Sequence, residues 1–86
     1  MPCLDLPFLN GWMLKEAFCT VIKDLRLEHK MTREKLAELS SLDSTTIYRI
    51  ETAKKLPNTE SIFRLAAAFG ISTAALIEKV EEYLKK

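Results

Sequence analysis

The 86-residue chain has only two glycines and three prolines. Tight hairpins built on Asn-Gly or Gly-rich turns therefore have almost no material, and a strand-based fold is disfavoured. The two cysteines, Cys3 and Cys19, stand in no metal-like spacing with each other or with the one histidine, His29. A zinc site or a disulfide framework thus has no support, and two reduced thiols are expected. Charge of one sign is also missing: 13 Lys and Arg against 12 Asp and Glu leave a formal charge of +1. Whole-molecule electrostatics accordingly give no argument for a nucleic-acid partner. No stretch approaches the length of a membrane span, and Met1-Pro2-Cys3-Leu4-Asp5 has neither a basic leader nor an apolar run. A cytoplasmic protein that makes no membrane contact is expected.

Hydrophobic residues make up 48% of the chain and charged residues 29%, the balance of a folded domain. At this length a single core is the sensible count. The reading is one domain over 11–86, preceded by a short extension over 1–10, with no internal repeat.

Helix starts are the clearest local signal. A capping side chain preceded by one apolar residue and followed four positions later by another appears at Leu9-Asn10 with Leu14 and at Met31-Thr32 with Leu36. It recurs at Leu42-Asp43 with Ile47 and at Ile71-Ser72 with Leu76. Each pattern sets a hydrophobic staple across an N-cap. A further start falls at Asn58, because Pro57 stops the preceding segment and an apolar-periodic run follows.

Five helices result, predicted at about Gly11 to His29, Arg33 to Leu39, Ser44 to Thr52, Thr59 to Phe69, and 73–85. Leu14, Ala17, Phe18, Val21, Ile22 and Leu25 form one face of the first. Ile62, Phe63, Leu65, Ala66 and Phe69 are expected to bury the fourth, with Gly70 as its left-handed cap.

The second and third helices are joined by so few residues that they cross steeply, and Ala37 supplies the small side chain that a close crossing needs. With Ile47 and Ile50 turned inward, a rotation of about 100° per residue leaves Thr45, Tyr48, Arg49 and Thr52 outward. Ser44 lies in the first turn, beside free amides and the positive end of the helix dipole.

The segment 31–72, MTREKLAELSSLDSTTIYRIETAKKLPNTESIFRLAAAFGIS, resembles the helix-turn-helix of the lambda-repressor and Cro-like (Xre) transcriptional regulators. The pieces that carry the resemblance are Thr32 before Glu34, Leu36-Ala37, Ser44-Thr45-Thr46-Ile47, Arg49-Ile50-Glu51, Pro57, and Leu65-Ala66 leading to Phe69-Gly70-Ile71-Ser72. The resemblance implies an all-α, five-helix domain whose helix over 44–52 enters the major groove of double-stranded DNA. It further implies an ion pair between Arg26 and Glu51, so Glu51 is not counted as a DNA contact.

On that footing the expected base readers are Arg49, by a bidentate pair to guanine, and Thr45, with Ser44 and Tyr48 beside them. The expected phosphate contacts are Thr32, Arg33, Thr52, Lys54 and Lys55. Arg33 stands where the family commonly carries glutamine. Lys30, Ser41 and Ala53 occupy places where glycine is common. A left-handed non-glycine residue costs about 1 kcal/mol, so the fold is expected to survive, with room for the turns to shift.

Family members usually act as dimers on palindromic or two-half-site operators. Val80, Tyr83 and Leu84 on the last helix, and Leu4, Leu6, Phe8 and Leu9 near the start, offer spare apolar surface. These segments pack on each other within one chain, or the last helix meets a second copy, and both can hold at once. Trp12, Phe18, Phe63 and Phe69 are read as core or rim, and His29 as a helix-end cation. No catalytic set, phosphate loop, cofactor motif or small-molecule ligand is inferred. The competing function is a protein-interaction module that keeps the fold without binding DNA.

Overall fold

Four helices begin on a side-chain oxygen that accepts a hydrogen bond from a backbone amide three residues on. Thr32 caps Lys35 N at 3.0 Å, Asp43 caps Thr46 N at 2.9 Å, Asn58 caps Ser61 N at 2.8 Å and Ser72 caps Ala75 N at 3.0 Å. Each such bond satisfies one amide that the helix cannot. They open α2 (Arg33–Ser40), α3 (Ser44–Glu51), α4 (Thr59–Phe69) and α5 (Thr73–Leu84), which follow α1 (Gly11–Glu28). The computed structural model describes residues 11–85, and no strand occurs among them. The expected cap at Asn10, the thiol of Cys3, and the apolar side chains of Leu4, Leu6, Phe8 and Leu9 lie outside the described residues.

Helix ends are as regular as the starts. Lys30, Ser41, Ala53 and Gly70 have φ of 56°, 59°, 59° and 72°. The residue after each one donates to a carbonyl five positions back: Met31 to Arg26, Leu42 to Ala37, Lys54 to Arg49 and Ile71 to Ala66, at 2.9–3.1 Å. This is the Schellman closure, which needs a left-handed residue. Only Gly70 adopts that conformation without steric cost, so the other three turns keep their geometry under strain. Ser41→Gly is therefore expected to raise stability by about 1 kcal/mol and the melting temperature by roughly 4–8 °C. Thermal unfolding followed by circular dichroism measures it; an unchanged or lower midpoint would contradict the strain.

The five helices enclose one core. Ala17, Phe18, Val21, Ile22 and Leu25 of α1 meet Leu36 and Ala37 of α2, Ile47 and Ile50 of α3, Leu65, Ala66 and Phe69 of α4, and Leu76 and Val80 of α5. α1 packs on α3 and α5, α2 on α3 and α4, and α4 on α5. Between α4 and α5 the chain turns by 102°. No single helix among the described residues is long and apolar enough to cross a membrane.

Two aromatic readings need correction. Phe63 is 59% exposed and Trp12 66% exposed. Ile62, Leu65, Ala66 and Phe69 define the inward direction of α4, and at about 100° per residue Phe63 points roughly 110° away from their mean. Its apolarity suggested burial, while its phase on the helix denies it. Val80 is 3% exposed and belongs to the chain's own core, so it presents no side-chain surface to a partner. Tyr83 and Leu84 are half-buried against the same core.

Candidate nucleic-acid interface

α3 is divided lengthwise. Ile47 and Ile50 are fully buried and the Glu51 side chain is 0% exposed. Ser44, Thr45, Tyr48 and Arg49 are exposed on the opposite side, and Thr46 is half-buried between them. The Arg49 side chain makes no hydrogen bond or ion pair among the described residues, which leaves its five donors available. The helix closes at Glu51, one residue before the expected end, and Thr52 is its C-cap.

Asp43 opens this helix from an exposed position. Its carboxyl is held below the usual carboxylate range, first by hydrogen bonding from Thr46 and then by the nearby positive charges of Lys55 and Arg49. A depressed carboxyl stabilises the fold above its ordinary pKa of 3.8, and that contribution fades as pH falls through the lower folded value. At neutral pH the cap is fully charged.

Behind the exposed face lies a buried charge cluster centred on Glu51. Arg26 Nε donates to Glu51 Oε2 at 2.8 Å and Arg26 Nη2 to Oε1 at 3.1 Å, a bidentate pair. Arg26 Nη1 also donates to the Met31 carbonyl at 2.8 Å, so one guanidinium ties the end of α3 to the loop before α2. Arg33, from the first turn of α2, donates through Nε to Glu51 Oε1 at 3.2 Å. Its guanidinium also lies over the Tyr48 ring, 5.2 Å from the centroid. Cys19 Sγ donates to the Glu51 backbone carbonyl at 2.9 Å, and burial pushes its thiol pKa up, which keeps the donor proton in place. Three side chains from two helices, Cys19 and Arg26 of α1 and Arg33 of α2, thus converge on one residue of α3.

The residues proposed for the DNA backbone are placed unevenly around this face. Lys54 and Lys55 are exposed just beyond α3, and Thr32 is exposed at the start of α2, its oxygen engaged as the N-cap. Thr52 is half-buried and its hydroxyl donates to the Tyr48 carbonyl at 2.8 Å, so its proton is already used within the chain. Lys35 pairs with Glu38 at 3.2 Å on the surface. Arg33, Glu34, Ser44, Thr45 and Tyr48 line a cleft of about 240 Å³ between the first turns of α2 and α3. His29 Nδ1 donates to the Leu25 carbonyl at 2.8 Å and its ring lies 5.3 Å from that of Phe69, an arrangement that ties the end of α1 to α4.

Sequence reasoning missed the Arg33–Glu51 bond and the stacking of Arg33 on Tyr48. A signal was available: residues 33, 48 and 51 carry a cation, an aromatic ring and an anion, and 48 and 51 share a helix at the three-residue spacing that places neighbours side by side.

The helix-turn-helix family model HTH_3 matches residues 22–76, a span that takes in α2, α3 and α4 completely. The chain belongs to this family, in its Xre and lambda-repressor-like form, a class of DNA-binding regulators rather than enzymes. Among solved structures it is similar to the wild-type restriction-modification controller protein C.Esp1396I, at 32% identity and a TM-score of 0.77 over 85% of this chain and 94% of that one. It is also similar in fold to the clp gene regulator ClgR from Corynebacterium glutamicum, at 22% identity and a TM-score of 0.76, with 84% and 77% of the two chains covered. A search of curated proteins returned no match.

Proposed function

We propose that this chain is a cytoplasmic, sequence-specific regulator of transcription, acting as a repressor, that reads the major groove of double-stranded DNA with α3. The observation that carries the reading is the lengthwise division of that helix: a fully buried anchor on one side and unpartnered, hydrogen-bonding side chains on the other. Arg49 and Thr45 are the base readers, with Ser44 beside them. Lys54, Lys55, Thr32 and Arg33 take phosphates, and Thr52 contributes less because its hydroxyl is engaged.

One such helix touches too few base pairs to select a site, so the chain acts as a homodimer on two related half-sites. With Val80 buried, the contact on α5 falls to Tyr83 and Leu84. Similarity to a restriction-modification controller protein supports a regulatory role of this kind.

A second reading, an interaction module without DNA binding, draws on the exposure of Trp12 and Phe63 and on the charge of +1. Selection of duplexes from a random pool, repeated at about 50 and 200 mM salt, separates the two. The DNA reading expects an enriched motif of two half-sites about one helical turn apart, with affinity falling steeply as salt rises. No enrichment and no uptake even at the lower salt would leave the interaction module.

A further inference from the structure

Arg33 and Tyr48 belong to different helices, and their contact sets the direction of a guanidinium beside the proposed interface. The Arg33 guanidinium carbon lies over the Tyr48 ring, 5.2 Å from its centroid, and the ring limits where the group can sit. The Nε bond to Glu51 Oε1 at 3.2 Å restricts its rotation. In a planar guanidinium the two terminal nitrogens form the edge remote from Nε. Nε is the nitrogen turned to the buried Glu51 carboxylate, which leaves the edge of the two terminal nitrogens unused by that bond. Neither terminal nitrogen has a partner among the described residues, and the Arg33 side chain is 37% exposed. The group borders the cleft between the first turns of α2 and α3.

We infer that Tyr48 is a positioning residue for Arg33 and not a reader of bases. Its ring holds the guanidinium with both terminal nitrogens set to take one phosphodiester in a two-bond grip. This inference rests on the DNA-binding reading and assigns Tyr48 a different part in it. A free arginine side chain loses rotamer freedom when it binds, which weakens the contact. Here the ring contact and the Glu51 bond have already reduced that freedom. The guanidinium covers one face of the Tyr48 ring, so the ring's main interaction lies within the protein.

The test is a set of anisotropy titrations of the full chain with its selected duplex and with single-base variants of that duplex, over a salt series. The chains are wild type, Tyr48→Phe, Tyr48→Ala, Arg33→Ala and the double alanine variant. Tyr48→Ala is expected to weaken binding about two- to fivefold, the equivalent of a surface cation–π contact. The loss is the same on every duplex, and the slope of log affinity against log salt becomes shallower by up to about 1. Tyr48→Phe, which keeps the ring, binds as wild type does. The double variant binds no more weakly than Arg33→Ala. Relaxed preference at one base position in Tyr48→Ala, or additive losses in the double variant, would overturn the positioning role while leaving DNA binding intact. A wild-type chain that takes up no duplex at low salt would end both readings.

Discussion

Glu51→Ala is expected to lower the unfolding free energy by about 3–5 kcal/mol, the cost of removing one partner from a buried ion pair. A domain of this kind has about 5–15 kcal/mol in all, so the variant stands at the edge of folding. The loss comes from what remains rather than from what is removed. Arg26, with a side chain only 11% exposed, would keep its charge at the junction of α1, α3 and the loop before α2 with no carboxylate to meet it. Arg33 is 37% exposed and can turn to water, so its share of the loss is small. Replacing Arg26 and Glu51 together by methionine should cost much less than Glu51→Ala alone, because no charge is left stranded. Urea unfolding of the three chains measures this. A loss below about 1 kcal/mol in Glu51→Ala would show that Arg26 finds water or another acceptor.

Arg49→Ala should have the opposite profile. The side chain is exposed and unpartnered, so stability is expected to stay within about 0.5 kcal/mol of wild type. Affinity for the selected duplex should fall by about 1–3 kcal/mol for each half-site, roughly 5- to 150-fold, because a bidentate contact to guanine is lost. Preference for that base should disappear while neighbouring positions keep theirs. Arg49→Lys retains the charge without the planar fork and should restore affinity more than preference. Binding-site selection with each variant gives the result. An undiminished guanine preference in Arg49→Ala would remove this residue from the readers.

Much of the architecture was legible because its signals are local. Thr32, Asp43, Asn58 and Ser72 announce helix starts through chemistry that spans three residues, and all four cap as expected. Ile47 and Ile50 follow from periodicity alone. Phe63 was misjudged because composition outweighed phase: the ring is apolar, yet its position on α4 lies off the inward arc. The three-residue spacing of Tyr48 and Glu51 marked one half of the Arg33 cluster, but the approach of Arg33 itself depends on how α2 and α3 cross, which spacing along the chain does not give. Val80 was ambiguous for a related reason. A stripe of apolar residues on the last helix shows what must be covered but not how far the chain's own core reaches along it.

The positions of Ser44, Thr45 and Arg49 lie on water, while Ile47, Ile50 and Glu51 hold the same helix from behind. Substitutions on the wet side leave folding nearly untouched, whereas those behind it cost several kcal/mol. On the proposed reading, selection can therefore retune the target of this molecule one outward residue at a time, without passing through unfolded intermediates in sequence space. The scaffold and its vocabulary evolve on separate accounts.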